Sequence, residues 1–199
     1  MDRKRWIDLQ PSGGHKPGSG HIYNLSSGYD PVSRKVFMRD PNYLYTYDYD
    51  KNTWTRLKSW THGWGGQRGV VDTRRRLYFT IGAGEFQVYD IATDRDVSGQ
   101  WKTTGGAEIL ALEGPAVDYD AKADALVAFN AGAAQVLDLE TKAWAVRSAS
   151  GAPARPAGNG TYGRWRYIPE YNVFILVNLI EEDVYFYKHT AGGQQEKTR

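Results

Sequence analysis

The chain contains no cysteine. Disulfides, thiolate metal sites and a cysteine nucleophile are therefore excluded. Methionine is scarce, with two residues, and histidine nearly so, with four. Long apolar runs are missing too. The longest aliphatic stretch lies near Val173–Val177, far short of the roughly 20 residues of a membrane helix. Met1–Gln10 is charged rather than apolar, so neither a signal peptide nor a transmembrane span is expected. That leaves the compartment open between the cytoplasm and secretion with a leader removed. An excess of one charge is also lacking: 25 Lys and Arg face 23 Asp and Glu, for a net charge of +2. No clustered basic surplus marks either half, which argues against nucleic acid, and no membrane partner is expected.

What is abundant points to strands. The 199 residues hold 14 Tyr, 7 Trp and 22 Gly, with 41% apolar and 24% charged residues overall. Aromatics and glycine in this proportion favour pleated strands and tight turns over helices. No sustained helical period is found; Ala107–Ala111 is the nearest, and it is too short to stand alone.

The chain also repeats itself. Tyr47-Asp48 is followed by a polar turn and Trp54, and Leu137-Asp138 by a polar turn and Trp144. Tyr89-Asp90 leads to Trp101 with five extra residues between. Short strands precede each unit: Lys35–Met38 and Tyr43–Tyr47, Leu77–Ile81 and Phe86–Tyr89, Ala125–Phe129 and Gln135–Leu137. Before those come turns carrying acids or proline, at Asp30-Pro31, Asp72-Thr73 and Asp118–Asp120. A fourth copy runs from Tyr167 through Val173–Asn178 to Asp183–Tyr187. Asp48, Asp90 and Asp138 thus recur at a nearly even step, and Lys188 takes the Asp place one step later. A unit of four short strands recurring at such a step is the mark of a β-propeller blade.

The fourth copy lacks its outer strand, and the N-terminus offers one. Arg5-Trp6-Ile7-Asp8-Leu9 matches Thr53-Trp54-Thr55-Arg56-Leu57 in a shared Trp-x-x-Leu, and Trp6 precedes Trp54 by the same step as the other copies. The expected fold is thus all-β: a small propeller of four four-stranded blades, the last closed by the N-terminal strand. One domain spans 1–190, with a closing strand at 3–10, blades at 20–58, 68–104, 115–148 and 161–188, and a disordered tail at 191–199. Two other readings stay open. Two chains could each give half of an eight-bladed ring, or the chain could be the C-terminal part of a larger propeller. The assembly is accordingly a monomer or a strand-exchanged homodimer.

The Tyr-Asp, polar turn, Trp spacing resembles the kelch repeat, from Trp6 to Tyr187. Gly82-Ala83-Gly84 and Asn130-Ala131-Gly132 partly match the kelch glycine pair; Arg39–Asn42 and Asn178–Ile180 depart from it. The resemblance implies a propeller whose relatives include protein-binding modules, glycan binders and parts of oxidases and lyases.

In such a ring the loops between blades share one face with the loops between second and third strands. That face collects Pro11–Gly20, Trp60–Gln67, Thr103–Gly114 and Ser148–Gly160. Trp60, His62, Trp64, Asn159 and Arg164 are the expected ligand contacts, because flat rings stack on sugars and polar side chains bond hydroxyls. Trp60 and Trp64 could equally plug gaps between blades. The leading reading is a non-catalytic module binding a carbohydrate or a protein. The alternative is a polysaccharide lyase, with His15, His21, His62, Tyr23 and Arg164 as candidate catalytic groups and Arg155 and Tyr162 nearby. No cofactor is expected, and no histidine pair has the spacing of a metal site. Arg74-Arg75-Arg76 reads as a solvated turn, with contact to a phosphate or an acidic glycan as the alternative.

Overall fold

The computed structural model describes residues 7–13, 17, 25–60 and 65–190. It is a four-bladed β-propeller, nearly free of helix. Blade 1 holds β1 (Ser26–Asp30), β2 (Lys35–Arg39), β3 (Tyr43–Asp48) and β4 (Thr53–Ser59). Blade 2 holds β5 (Arg68–Asp72), β6 (Leu77–Gly82), β7 (Glu85–Asp90) and the short β8 (Arg95–Asp96). Blade 3 holds β9 (Ala116–Asp120), β10 (Ala125–Asn130), β11 (Ala133–Asp138) and β12 (Ala143–Ser148). Blade 4 holds β13 (Trp165–Ile168), β14 (Val173–Val177) and β15 (Val184–Tyr187). Each is an antiparallel meander in chain order, and one helical turn, α1 (Ala107–Leu110), precedes blade 3.

The strands alternate, but both faces are apolar. In β6, Tyr78 faces blade 1, joining Phe37, Leu44 and Tyr89, while Phe79 and Ile81 face blade 3, joining Val117, Leu126 and Leu137. Blade 3 turns Val127, Phe129 and Val136 toward Trp165 and Phe174 of blade 4. The Trp165 indole N–H donates to the Val127 carbonyl at 2.9 Å across that seam, and its ring stacks on Phe174 at 4.7 Å. Glycine lets the inner strands approach: a Cβ on Gly69 would stand 2.6 Å from the Ser27 nitrogen.

Six of the hairpin turns share one device. An Asp ends the strand and accepts from the backbone N–H groups two or three residues on, as at Asp72 (2.8 and 3.0 Å), Asp120 (2.9 and 3.0 Å) and Asp138 (2.9 and 2.8 Å). Asp30, Asp48 and Asp90 cap their turns likewise. The residue four past each Asp is left-handed, with φ between 49° and 58° at Arg34, Asn52, Arg76, Asp94, Asp124 and Lys142. Asn and Asp tolerate that conformation best among residues with a Cβ. Where they occur, a tyrosine locks them: the Tyr47, Tyr119 and Tyr167 hydroxyls donate to Asn52, Asp124 and Asn172 at 2.7, 2.8 and 2.8 Å, and Tyr89 donates to Asp94.

The arginine run binds blades together. Arg76 pairs with buried Asp30 of blade 1 at 2.8 Å. Arg75 holds Asp72 at 2.9 Å and forks onto Asp124 of blade 3 at 2.6 and 2.7 Å, where Arg74 also reaches at 2.7 Å.

Two expectations need correction. Residues 7–10 of the expected closing strand form no strand. The chain beyond them lies on blade 1: the Ser12 N–H donates to the Asn52 carbonyl, and the Trp54 N–H to the Ser12 carbonyl, both at 3.0 Å. Among the described residues β15 is an edge, so blade 4 has three strands. Trp6 and the tail at 191–199 lie outside the described residues. The second correction concerns Trp101, which is not the counterpart of Trp54 and Trp144. Those two open β4 and β12 opposite Tyr47 and Leu137. Trp101 follows a 3-10 turn in the linker after β8, edge-on to Phe79 at 5.2 Å. The extra residues before Trp101 are that turn.

The fork of Arg75 holds the Asp124 carboxyl below the usual range, against opposition from burial. A lowered folded pKa contributes stability above the unfolded value, lost as pH falls through the folded one. The melting temperature should therefore drop as pH is taken from about 5 to about 2. Asp124→Asn should lower it at pH 7 and flatten that acid slope, measured by circular dichroism.

Candidate functional site

The loops entering blades 2, 3 and 4 are tied to one another on one face. The Gly114 N–H donates to the Gly66 carbonyl at 2.5 Å, and the Thr161 and Tyr162 N–H groups donate to the Gly114 carbonyl at 2.7 and 2.9 Å. Gly66, Gly114 and Tyr162 sit at equivalent places, all with positive φ (82°, 59° and 48°). A Cβ on Gly114 would meet the Tyr162 ring at 2.3 Å, so this position needs glycine for space as well as conformation.

On that loop-rich face, Trp60 and Arg164 are engaged by the protein itself. Trp60 is buried in the seam between blades 1 and 2, 5.8 Å from Tyr89, and its indole N–H donates to Asp96 at 3.0 Å. It fills the gap-plugging role. Arg164 donates from Nη1 to the Asn178 carbonyl at 2.8 Å and from Nη2 to the Gly160 carbonyl, fastening the loop into blade 4. Asn159 is exposed beside a hollow of about 350 Å3 lined by Glu113, Gly114, Pro156 and Thr161. Tyr162 is half-buried, and Arg155 exposed. His15, His21, Tyr23, His62 and Trp64 lie outside the described residues. Among the described residues no group of His, Asp and Glu could hold a metal ion, and no helix is long and apolar enough to cross a membrane.

A second concavity lies on the ring axis, where all four inner strands converge. It measures about 270 Å3 and opens toward the opposite face, between the turns after β1, β5, β9 and β13. Ser27, Gly28 and Tyr29 line it from blade 1, Arg68 and Thr73 from blade 2, Asp118 and Tyr119 from blade 3, and Arg166 and Tyr167 from blade 4. Asp118 organises its floor. Its Oδ2 accepts the Tyr167 backbone N–H at 3.0 Å and lies 3.7 Å from the Arg166 guanidinium. Arg68 is buried beside it, donating from Nε to the Val117 carbonyl at 3.3 Å. Desolvation pulls the Arg68 pKa down, and Asp118 opposes that shift. Burial, with Asp120 nearby, pushes the Tyr167 hydroxyl up to about 12, so it stays protonated at neutral pH and its proton is given to Asn172. The Tyr29 ring is half exposed at the mouth. The cavity thus offers donors and acceptors of both charge signs beside a flat ring.

Sequence reasoning missed this group. Gly28, Val70, Asp118 and Arg166 occupy one repeat position, two residues before the turn. Opposite charges at that position in consecutive blades were the available signal.

No family model matches the chain, and no curated protein matches it by sequence. Solved structures do match in shape. A chain of a nidogen/laminin complex superposes with a TM-score of 0.55 at 12% identity, over 77% of this chain and 56% of that one. A chain of hydrazine synthase from Kuenenia stuttgartiensis gives a TM-score of 0.54 at 14% identity, over 87% and 49%. At such identities the likeness is one of fold. The chain spans about half the length of either neighbour.

If Asp118 organises the floor, its removal has a stability signature. Asp118→Ala strands the Tyr167 amide and leaves Arg68 without its nearby counter-charge. The expected cost is about 1–3 kcal/mol. Urea unfolding should show a lower midpoint at unchanged slope.

Proposed function

We propose that the chain is a non-catalytic recognition module, a divergent kelch-like propeller that takes a carbohydrate at its axial cavity. The supporting observation is the cavity itself: the half-exposed Tyr29 lines it together with the Asp118–Arg166 pair and buried Arg68. A sugar presents C–H faces to an aromatic ring and hydroxyls to charged side chains, and a carboxylate beside a guanidinium both accepts from and donates to them. The kelch-like part of the reading rests on the spacing from Tyr47-Asp48 to Trp54 and from Leu137-Asp138 to Trp144, which hold equivalent places in blades 1 and 3.

The chemistry of the lining favours binding over turnover. Tyr119 and Tyr167 spend their hydroxyl protons on the turn locks, and burial raises both pKa values, so neither is poised as a base at neutral pH. Asp118 is committed to a backbone amide and a guanidinium.

A glycan array followed by calorimetric titration tests the reading. Arg166→Ala should weaken the bound glycan by about 1.5–3 kcal/mol, the worth of a hydrogen bond to a charged group. That is roughly tenfold to a hundredfold in Kd. The melting temperature should hardly move, because Arg166 is an exposed side chain. A protein ligand instead of a glycan would appear as a silent array with the same Arg166 dependence in pull-down. Glycan binding untouched by Arg166→Ala would remove the cavity from the account.

A further inference from the structure

The repeat makes it possible to compare the same strand position in all four blades. Thr46, Val88, Val136 and Phe186 are equivalent, each on the third strand and turned toward the following blade. Their exposures are 4%, 0%, 8% and 67%. The neighbouring position repeats the contrast: Leu44 and Ala134 are buried, whereas Val184 is 48% exposed. The far face of blade 4 is therefore built like the other seams, with Ile175 and Val177 beside Phe186 and Val184, but is not covered like them. At the other end, Val71 and Tyr119 are buried against the preceding blade, while their blade 1 equivalent, Tyr29, is 51% exposed. Three apolar cores join the blades, and among the described residues there is no fourth between blade 4 and blade 1.

We propose that the two free faces belong to one interface made between copies. Blade 4 of one chain packs on blade 1 of a second chain, and reciprocally, so that two chains close a ring of eight blades. Two observations select a second copy over a foreign partner. First, the chain carries both halves of the interface, each in the register that makes its internal seams. A two-fold pairing then satisfies both ends at once and stops there. Second, the Ser12 bridge to blade 1 reproduces the Thr104 bridge to blade 3: the Thr104 N–H donates to the Lys142 carbonyl at 2.9 Å, and the Trp144 N–H to the Thr104 carbonyl at 2.8 Å. Thr104 is reached from β8, the outer strand of the blade before. By the same repeat, Ser12 marks an entry from a blade preceding blade 1, and among the described residues blade 4 is the one without an outer strand. Closure within one chain would cover Phe186 and Tyr29, which are open. Apolar sheet faces of this kind are seldom left to water. In the paired form Tyr29 is covered, so its ring is then closed to the sugar proposed above and the cavity keeps its polar lining; the mass of the protein, not glycan binding, tests the pairing.

Sedimentation equilibrium on the full chain at micromolar concentration tests this. The expected mass is twice the 22.4 kDa of one chain. Phe186→Asp and Val184→Lys alter exposed side chains, so the circular dichroism spectrum should persist while the mass falls to that of one chain. A wild-type mass of one chain at 100 times the assay concentration would overturn the proposal. So would a dimer indifferent to both substitutions, or masses that keep climbing with concentration, the mark of an open chain of copies.

Discussion

Tyr78 and Phe79 are consecutive residues of β6, both fully buried, and they point into different cores. Their arrangement states the constraint on which the fold depends. A strand with one apolar face can lie on a protein surface, but a strand with two cannot. Each blade must be covered on both sides, and the units that can do this with the same chemistry are further blades. The right-handed twist of each sheet then turns successive blades about an axis rather than stacking them flat. Most of the molecule follows: seams of Phe, Tyr, Val and Leu, inner strands brought together at Gly69, and a cavity where the four inner strands converge.

The polar groups answer the same constraint. Backbone amides in the turns after the inner strands are met by Asp carboxylates of their own repeat. Two of those acids also meet arginines of blade 2, Asp30 from the neighbouring blade through Arg76 and Asp72 within its own turn through Arg75, which reaches on to Asp124 of blade 3. Buried carboxylates are thereby paired and hydrogen-bonded together, the condition under which burying charge is tolerated. Where a seam lacks such an arginine the deficit shows. At the blade 3–4 seam, Asp120 Oδ2 and His189 Nδ1 are buried with no hydrogen-bond partner among the described residues, and burial drives the His189 pKa down.

The axial cavity and the free faces are two consequences of one geometry. The cavity collects what the inner strands cannot bury, namely the Asp118–Arg166 pair and Arg68. The exposed faces of blades 1 and 4 are what the three apolar cores leave uncovered among the described residues.

Strand content, blade number and the pairing order within each blade were legible in the amino-acid sequence, because they rest on local signals. Alternation sets strands, Asp caps and left-handed Asn or Asp set turns, and the even recurrence of that unit sets the blade. At Ala107–Ala111, too short by its sequence to stand alone as a helix, the structure forms the single turn α1. Trp60 could not be assigned between ligand and core, since both uses want the same residue type and only the position of Tyr78, Tyr89 and Asp96 decides. The arginine run was read as a turn, and its acids Asp30 and Asp124 belong to other blades, beyond any local pattern. The path of residues 7–13 misled for a related reason. A shared Trp-x-x-Leu matches strand to strand, yet which blade a segment lies against is fixed by backbone partners far along the chain, here Asn52 and Trp54. Local chemistry determined the blade; only contacts between distant residues decided what each blade faces.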